Sequence, residues 1–164
     1  METKDFTTSI LVDKSREEVY NAVNNVRGWW SEQIDGQTHV LGETFNYRHK
    51  EAHLCKIKVV ELVPKERVVW LVLENYFNFT EDKNEWQNTK IIFEISEING
   101  TTQLQFTHVG LTPAYECYKI CFDAWTNYIT VSLRNLITTG TGKPNPKEGD
   151  SFNAELLRKW NLPE

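Results

Sequence analysis

The sequence is poor in cysteine and methionine, and it carries no excess of positive charge. Its three Cys residues are an odd number without a C-x-x-C pair, which argues against a disulfide framework. Cys117 and Cys121 lie one helical turn apart, a poor geometry for a disulfide, so we expect reduced thiols. The net charge of −5 argues against nucleic-acid binding, because a phosphate backbone needs a basic face.

Long apolar runs and catalytic motifs are also missing. No segment approaches the length of a membrane-spanning helix, and no basic stretch leads into an apolar run, so we expect a cytoplasmic protein without stable membrane insertion. The chain has no serine nucleophile elbow, H-E-x-x-H pair, phosphate loop or G-x-G-x-x-G run. The sequence therefore assigns no catalytic residue, no metal and no cofactor.

What the sequence does contain is a clear alternation of structural patterns. Residues 4–12 alternate as a strand, and Ser15–Glu18 forms a capping box that opens an amphipathic helix over about 16–26, before Gly28. Further strands are predicted at 39–49, 53–63, 68–76, 88–98 and 101–109. In the first of these, Leu41, Phe45 and Tyr47 share a face. Asn99-Gly100 is the favoured pair for a two-residue hairpin turn.

The remaining segments are a loop, a long helix and a tail. Residues 77–87 contain many loop formers and predict a long, mobile hairpin loop. Residues 114–138 predict one helix, so apolar that it must lie against a sheet. Residues 139–150 read as a linker, and Phe152, Leu156 and Trp160 repeat at helical spacing within a short helix at 151–160. We expect one domain at 1–140 and an appendage at 141–164.

Several short sequence motifs occur in the same order as in a known family. They are Ser15–Tyr20 with Ala22, Trp29-Trp30, Gly42–Phe45, Val59–Pro64, Arg67–Trp70, Gly100–Leu104, Thr107–Leu111, and the long helix with Trp125 and Leu133. In this order they resemble the START-like (SRPBCC) superfamily, in the branch named after the activator of the heat-shock protein 90 ATPase. The resemblance covers roughly residues 3–140.

The resemblance implies an α+β helix-grip fold: a curved, six-stranded antiparallel sheet wrapped around the long C-terminal helix, with a cavity between them. Members of the superfamily bind lipids, hormones, polyketides and other apolar molecules. The chain departs from the family by its tail, and we expect no counterpart of the domain that accompanies the eukaryotic chaperone activator. The tail could dock on its own domain, close the pocket mouth or pack on a second subunit, which would give a homodimer.

Candidate ligand-binding residues are the large inward-facing side chains of the sheet and the long helix. They are Trp30, Phe45, Tyr47, Ile57, Trp70, Phe93, Phe106, His108, Tyr118, Phe122 and Trp125. Core packing explains them all by default, and a cavity of about 300–1,000 Å³ would explain a subset. His108 is either a core histidine bonded to a backbone carbonyl or a polar anchor for a ligand.

Three functional hypotheses follow. The first is a non-enzymatic domain that binds a small apolar, aromatic or lipid-like molecule. The second is a cyclase- or hydratase-like enzyme that uses His108 or Tyr118 as acid or base. The third is a module that regulates a chaperone ATPase, implied by the family resemblance alone. His49, His53 and Cys55 could approach one another with the ligand types of Zn²⁺, but solvated side chains are the simpler interpretation at a hairpin end.

Overall fold

The computed structural model describes residues 5–49, 53–77 and 80–145. The described strands are β1 (Phe6–Val12), β2 (Ile34–Gly36), β3 (Thr44–His49), β4 (His53–Val63), β5 (Arg67–Phe77), β6 (Lys90–Ile98) and β7 (Thr101–Val109). They form one antiparallel sheet in the order β1-β7-β6-β5-β4-β3-β2. This curved sheet and the long C-terminal helix confirm the predicted α+β helix-grip fold.

The prediction of six strands was wrong by one. Strand β2 spans only Ile34–Gly36, and three residues are too few to show a period. It pairs with β3, and the Arg27 guanidinium donates hydrogen bonds of 2.8 Å to the carbonyl oxygens of Ile34 and Gly36. A side chain seven to nine residues away, outside the strand, therefore supports this edge strand, and a periodic pattern does not show such support.

The strand predicted at 39–49 begins later than expected, at Thr44. Leu41 does not share the face of Phe45 and Tyr47, because it precedes the strand and is 59% exposed. Gly42, with φ of 85°, turns the chain in the left-handed region that glycine tolerates. The apolar residues before this turn therefore belong to a surface connection.

The hairpin of β6 and β7 follows the prediction closely. Asn99 and Gly100 have φ of 51° and 80°, the positive values that a type I′ turn requires. The inward face of β7 buries Thr102, Leu104, Phe106 and His108. This alternation gives the sheet one apolar face, and the long helix packs on that face.

The first helix, α1, spans Arg16–Asn24 and is followed by a 3₁₀ turn at Val26–Gly28. The Ser15 hydroxyl accepts a hydrogen bond of 3.1 Å from the Glu18 amide, as the capping box predicted. Helix α1 ends before Gly28, which nevertheless has a packing role. A β-carbon at Gly28 would lie 2.7 Å from the Asn25 side chain.

The long helix begins at Tyr118 and not at 114, because residues 112–117 form successive turns. It consists of α2 (Tyr118–Asn127), a π-helical turn (Tyr128–Leu133) and α3 (Arg134–Thr139), which follow one another without a break. Gly140 ends it with φ of 87°. Such π turns inside helices are frequent at functional sites, and this one faces the sheet with Tyr128, Ile129 and Leu133.

Residues 141–145, the start of the predicted linker, lie against the domain. Asn145 forms a parallel bridge with Ser31 and is 4% exposed. The predicted helix at 151–160 lies outside the described residues. None of the helices in the described ranges combines the length and the apolar character needed to cross a bilayer.

Candidate functional site

Aromatic side chains occupy the space between the sheet and the long helix. This aromatic cluster consists of Trp29, Trp30, Phe45, Tyr47, Trp70, Trp86, Phe93, Phe106 and Trp125. The Trp30 ring lies 4.3 Å from Tyr47 and 5.1 Å from Trp125, measured between ring centroids. These distances are direct ring contacts, so the rings that the sequence placed around a cavity pack on one another here.

Nine of the eleven predicted ligand-binding residues lie in the interior, at no more than 1% exposure. They are Trp30, Phe45, Tyr47, Ile57, Trp70, Phe93, Phe106, His108 and Trp125. The other two, Tyr118 and Phe122, lie outside the aromatic cluster. Phe122 is 44% exposed, because it lies about 100° around the helix from the buried Cys121. Its ring packs edge-on against Phe6.

Trp86 is the most important interior residue that the sequence analysis missed. It lies in the segment predicted as a mobile loop, yet it is 4% exposed. Its indole stacks on Trp125 at 5.6 Å and meets the rings of His53 and His108 edge-on, each at 4.7 Å. A large apolar side chain among loop formers was the available signal, since leaving it in water is unfavourable.

His108 is held by two side chains. The Trp125 indole donates to its Nδ1 at 3.1 Å, so Nδ1 is the unprotonated nitrogen. Its Nε2 then carries the proton and donates to the Thr89 hydroxyl at 2.8 Å, and that hydroxyl donates to the Trp86 carbonyl. Burial lowers the pKa of His108 to about 3, so the ring is neutral at pH 7.

A second histidine lies nearby on the other side of Trp86. The Nε2 atom of His53 is 2.8 Å from the Oδ1 atom of Asn75, and both side chains are buried. Among the residues that the structure describes, neither the Nδ2 group of Asn75 nor the Nε1 group of Trp70 has a hydrogen-bond partner. The Nε1 group of Trp86 lies by the Cys117 thiol, a weak acceptor, without an oxygen or nitrogen partner in the described ranges.

Within the described residues, no three His, Cys, Asp or Glu side chains lie close enough together to form a metal site.

Asn145 adds a polar group at the far side of the aromatic cluster. Its Nδ2 donates to the hydroxyls of Tyr128 at 2.7 Å and Tyr47 at 3.2 Å. The segment that carries it, residues 140–145, is bonded back to the domain: the Lys143 amide donates to the Ser132 hydroxyl, which donates to the Trp29 carbonyl. This segment closes one end of the interior.

A model of the family described as Activator of Hsp90 ATPase homolog 1-like protein matches residues 13–138. The chain belongs to this family. A search of curated proteins found no match.

Solved structures agree with this family assignment. The solution structure of the Aha1 dimer from Colwellia psychrerythraea is 25% identical, with a TM-score of 0.67, 85% of this chain covered and 99% of the other. SSP2350 from Staphylococcus saprophyticus is 17% identical, with a TM-score of 0.60 and coverages of 87% and 98%. DynU16, from the dynemicin biosynthetic locus, is 14% identical, with a TM-score of 0.60 and coverages of 83% and 48%. The last two show the fold alone.

In this member of the Activator of Hsp90 ATPase homolog 1-like family, four buried ionisable groups of the interior are neutral. Burial raises the pKa values of Tyr47, Tyr128 and Cys55 above their ordinary values, so all three keep their protons at pH 7. His108 is neutral as well. Such an interior offers apolar surface and uncharged hydrogen-bond donors, a combination suited to an apolar or aromatic molecule with one or two acceptor atoms.

An open groove of about 620 Å³ lies beside the edge strands of this family member, and the buried Tyr47, Cys55 and Asn75 also border it. Its lining mixes cationic and anionic side chains: Arg27, Arg48, Lys56, Glu32, Asp35 and Glu74. Leu54 and Tyr76 contribute its apolar part. Mixed charge around a small apolar area suits contact with another macromolecule better than it suits an apolar small molecule.

Substitution of Gly142 tests the closed end of the interior. A β-carbon there would collide with the Gly28 carbonyl oxygen and lie 3.1 Å from that of Ser132. We expect Gly142→Ala to lower the free energy of unfolding by about 3 kcal/mol, measured by urea denaturation. Gly42→Ala adds the same methyl group where nothing lies within 4 Å, so only the strain of its left-handed backbone, about 1 kcal/mol, is expected. Equal costs would show that residues 140–145 do not pack as described.

Proposed function

We propose that this protein binds a small, uncharged aromatic or apolar molecule in its interior, near His53, Asn75 and Trp86. The observation that carries the proposal is the set of buried donors, on Asn75, Trp70 and Trp86, that have no oxygen or nitrogen acceptor among the described residues. A buried polar group without a partner costs about 1–3 kcal/mol. A ligand with an acceptor atom would satisfy the Asn75 donor, while its rings pack against the aromatic cluster.

The family assignment supports a ligand-binding or interaction domain, and the chemistry of the interior favours the ligand. An enzymatic role receives less support. His108 uses both ring nitrogens in bonds to Trp125 and Thr89, so a substrate would have to displace one of them. Tyr118 lies outside the aromatic cluster, against Phe122. Neither group is placed as a free acid or base facing the interior.

Native mass spectrometry of the purified protein, followed by denaturing extraction, tests the proposal directly. We expect an additional mass that corresponds to one apolar or aromatic molecule per chain. A titration with 2-naphthol, a planar aromatic with a hydroxyl oxygen, complements it. Quenching of tryptophan fluorescence should be saturable, because five of the six Trp side chains lie in the aromatic cluster.

Matched leucine substitutions locate the bound probe. Asn75→Leu removes an interior donor, and we expect about tenfold weaker binding of 2-naphthol. Asn46→Leu makes the same change on the exposed face of the neighbouring sheet region, in the lining of the open groove. It should leave the affinity unchanged. Loss of binding with Asn46→Leu alone would place the probe in the groove, and no saturable binding by any variant would overturn the proposal.

A second candidate is self-association. The Colwellia structure is of a dimer, and the alignment covers 99% of that chain. We propose that this protein also forms a homodimer, with the open groove and the tail after Asn145 as the surfaces to test. The same native mass spectrum reports it, because a dimer doubles the mass. A chaperone ATPase is proposed as a partner on the basis of the family description alone. We expect such a partner to bind at the open groove, whereas the small ligand binds in the interior.

A further inference from the structure

Residues 80–88, which we call the Trp86 segment, fill a gap in the sheet. Strands β5 and β6 pair only from Arg67↔Glu94 to Leu71↔Lys90. Strand β5 continues to Phe77 and keeps β4 as its ladder partner, while the chain leaves the sheet on the other side. Over this gap the Trp86 indole enters the interior. The Trp86 segment therefore covers the point where the aromatic cluster would otherwise meet the surface.

The Trp86 indole occupies an aromatic cage made by His53, Phe77, His108 and Trp125. It stacks on Trp125 with an interplanar angle of 12°, while the His53, His108 and Phe77 rings stand nearly perpendicular to it. A flat face and three ring edges fit one planar aromatic group of bicyclic size. The Nε1 group of the Trp86 indole is buried and has no oxygen or nitrogen acceptor in the described part of the chain, so the indole fills the cage by shape more than by polar contacts.

Two carboxylates hold the Trp86 segment to the start of the long helix. Glu85 accepts hydrogen bonds from the Glu116 and Cys117 amides at 2.8 and 3.0 Å. Reciprocally, Glu116 accepts from the Glu81 and Asp82 amides, each at 3.0 Å. Glu116 is exposed, and charge-assisted bonds at an exposed site are readily exchanged for bonds to water. We call these four bonds the carboxylate clasp.

The other backbone attachments of the Trp86 segment are to β5: the Phe77 amide donates to the Lys83 carbonyl at 2.9 Å in its middle, and Val72 bonds to its base. At the base, the Val72 amide donates to the Thr89 carbonyl at 2.9 Å, and the Asn88 amide donates to the Val72 carbonyl at 2.8 Å. Asn88 has φ of 69°, a left-handed conformation for a residue other than glycine, which marks a sharp turn at this point. The segment is thus held by the clasp at one side, by one backbone bond to β5 in its middle and by a sharp turn at its base.

We propose that the Trp86 segment is a closure over the binding site, and that the cage vacated by the Trp86 indole receives a planar aromatic ring of the ligand. This inference rests on the proposed function and specifies its ligand as a planar, bicyclic aromatic. The Trp86 indole acts as an internal occupant that competes with the ligand. The apparent affinity is therefore lowered by the fraction of molecules in which the closure is shut.

The test compares 2-naphthol binding by variants of the full chain. Glu85→Gln with Glu116→Gln weakens the clasp and leaves the cage intact, so we expect about tenfold tighter binding than the wild type. Trp86→Ala vacates the cage, and binding should tighten at least as much. The triple variant should bind no more tightly than Trp86→Ala, because an empty cage has no occupant to release. Glu43→Gln with Glu97→Gln, two exposed carboxylates elsewhere, is the charge control and should match the wild type.

Each outcome of these binding measurements either supports or overturns the proposed closure. If the clasp variant binds as the wild type does, the closure is overturned while the proposed function stands. If the gains from the clasp variant and Trp86→Ala multiply in the triple variant, the probe and the indole do not share the cage. If none of the proteins binds, the ligand proposal falls with the closure. Where Trp86→Ala lacks a cooperative unfolding transition, Trp86→Leu takes its place, since it also vacates part of the cage.

Discussion

Replacement of Trp125 by alanine is expected to lower the free energy of unfolding by about 3–5 kcal/mol, a large part of the stability of a domain of this size. Trp125 is 1% exposed and lies at the centre of the contact between helix and sheet. Its ring meets Phe106 at 4.6 Å and Trp30 at 5.1 Å. Its loss leaves a cavity and an unpaired Nδ1 on His108.

Two further variants separate packing from hydrogen bonding in this prediction. Trp125→Phe keeps an aromatic ring but removes the indole donor, so the cost should be smaller, about 1–3 kcal/mol. Phe122→Ala, three residues earlier on the exposed side of the same helix, should cost less than Trp125→Ala. Urea denaturation followed by near-ultraviolet circular dichroism measures all three. A cost for Trp125→Ala below that for Phe122→Ala would contradict the described helix-to-sheet packing.

Elements with a strong local pattern could be predicted from the sequence. Strand β7 alternates for nine residues, and the Ser15 cap and the Asn99-Gly100 turn depend on contacts within four residues. The features that escaped prediction depend on partners outside the segment that forms them. Strand β2 is stabilised by Arg27 and β3, and the start of the long helix is delayed by turns whose amides reach the Glu85 carboxylate.

The same distinction applies to the candidate site. Strand alternation predicts that Tyr47, Phe106 and His108 point inward, and all three side chains are buried in the structure. Strand alternation indicates which side chains face the interior, but it does not identify the residues that they contact there. His108 was expected to bond a backbone carbonyl or a ligand, and it bonds Thr89 and Trp125. Trp86 and Asn145 enter the interior from segments without any period, so no pattern could assign them.

The second large effect is a loss of stability in mild acid, which His108 causes. Its pKa is about 3 in the folded protein, because burial disfavours the charged ring, and about 6.5 in an unfolded chain. Below pH 6.5 the unfolded chain takes up a proton that the folded protein does not. The stability contributed by this neutral histidine is therefore intact above pH 6.5 and declines by about 1.4 kcal/mol per pH unit as the pH falls toward 3.

Between pH 6.5 and pH 5, this effect amounts to about 2 kcal/mol and precedes the titration of ordinary carboxylates. His108→Gln removes the titrating ring, so its free energy of unfolding should fall less steeply over that range. His39→Gln changes an exposed histidine and should keep the slope of the wild type. Urea denaturation at several pH values measures the three slopes. Equal slopes for the wild type and His108→Gln would mean that His108 takes up a proton in the folded state, against the neutral bonding to Trp125 and Thr89 described here.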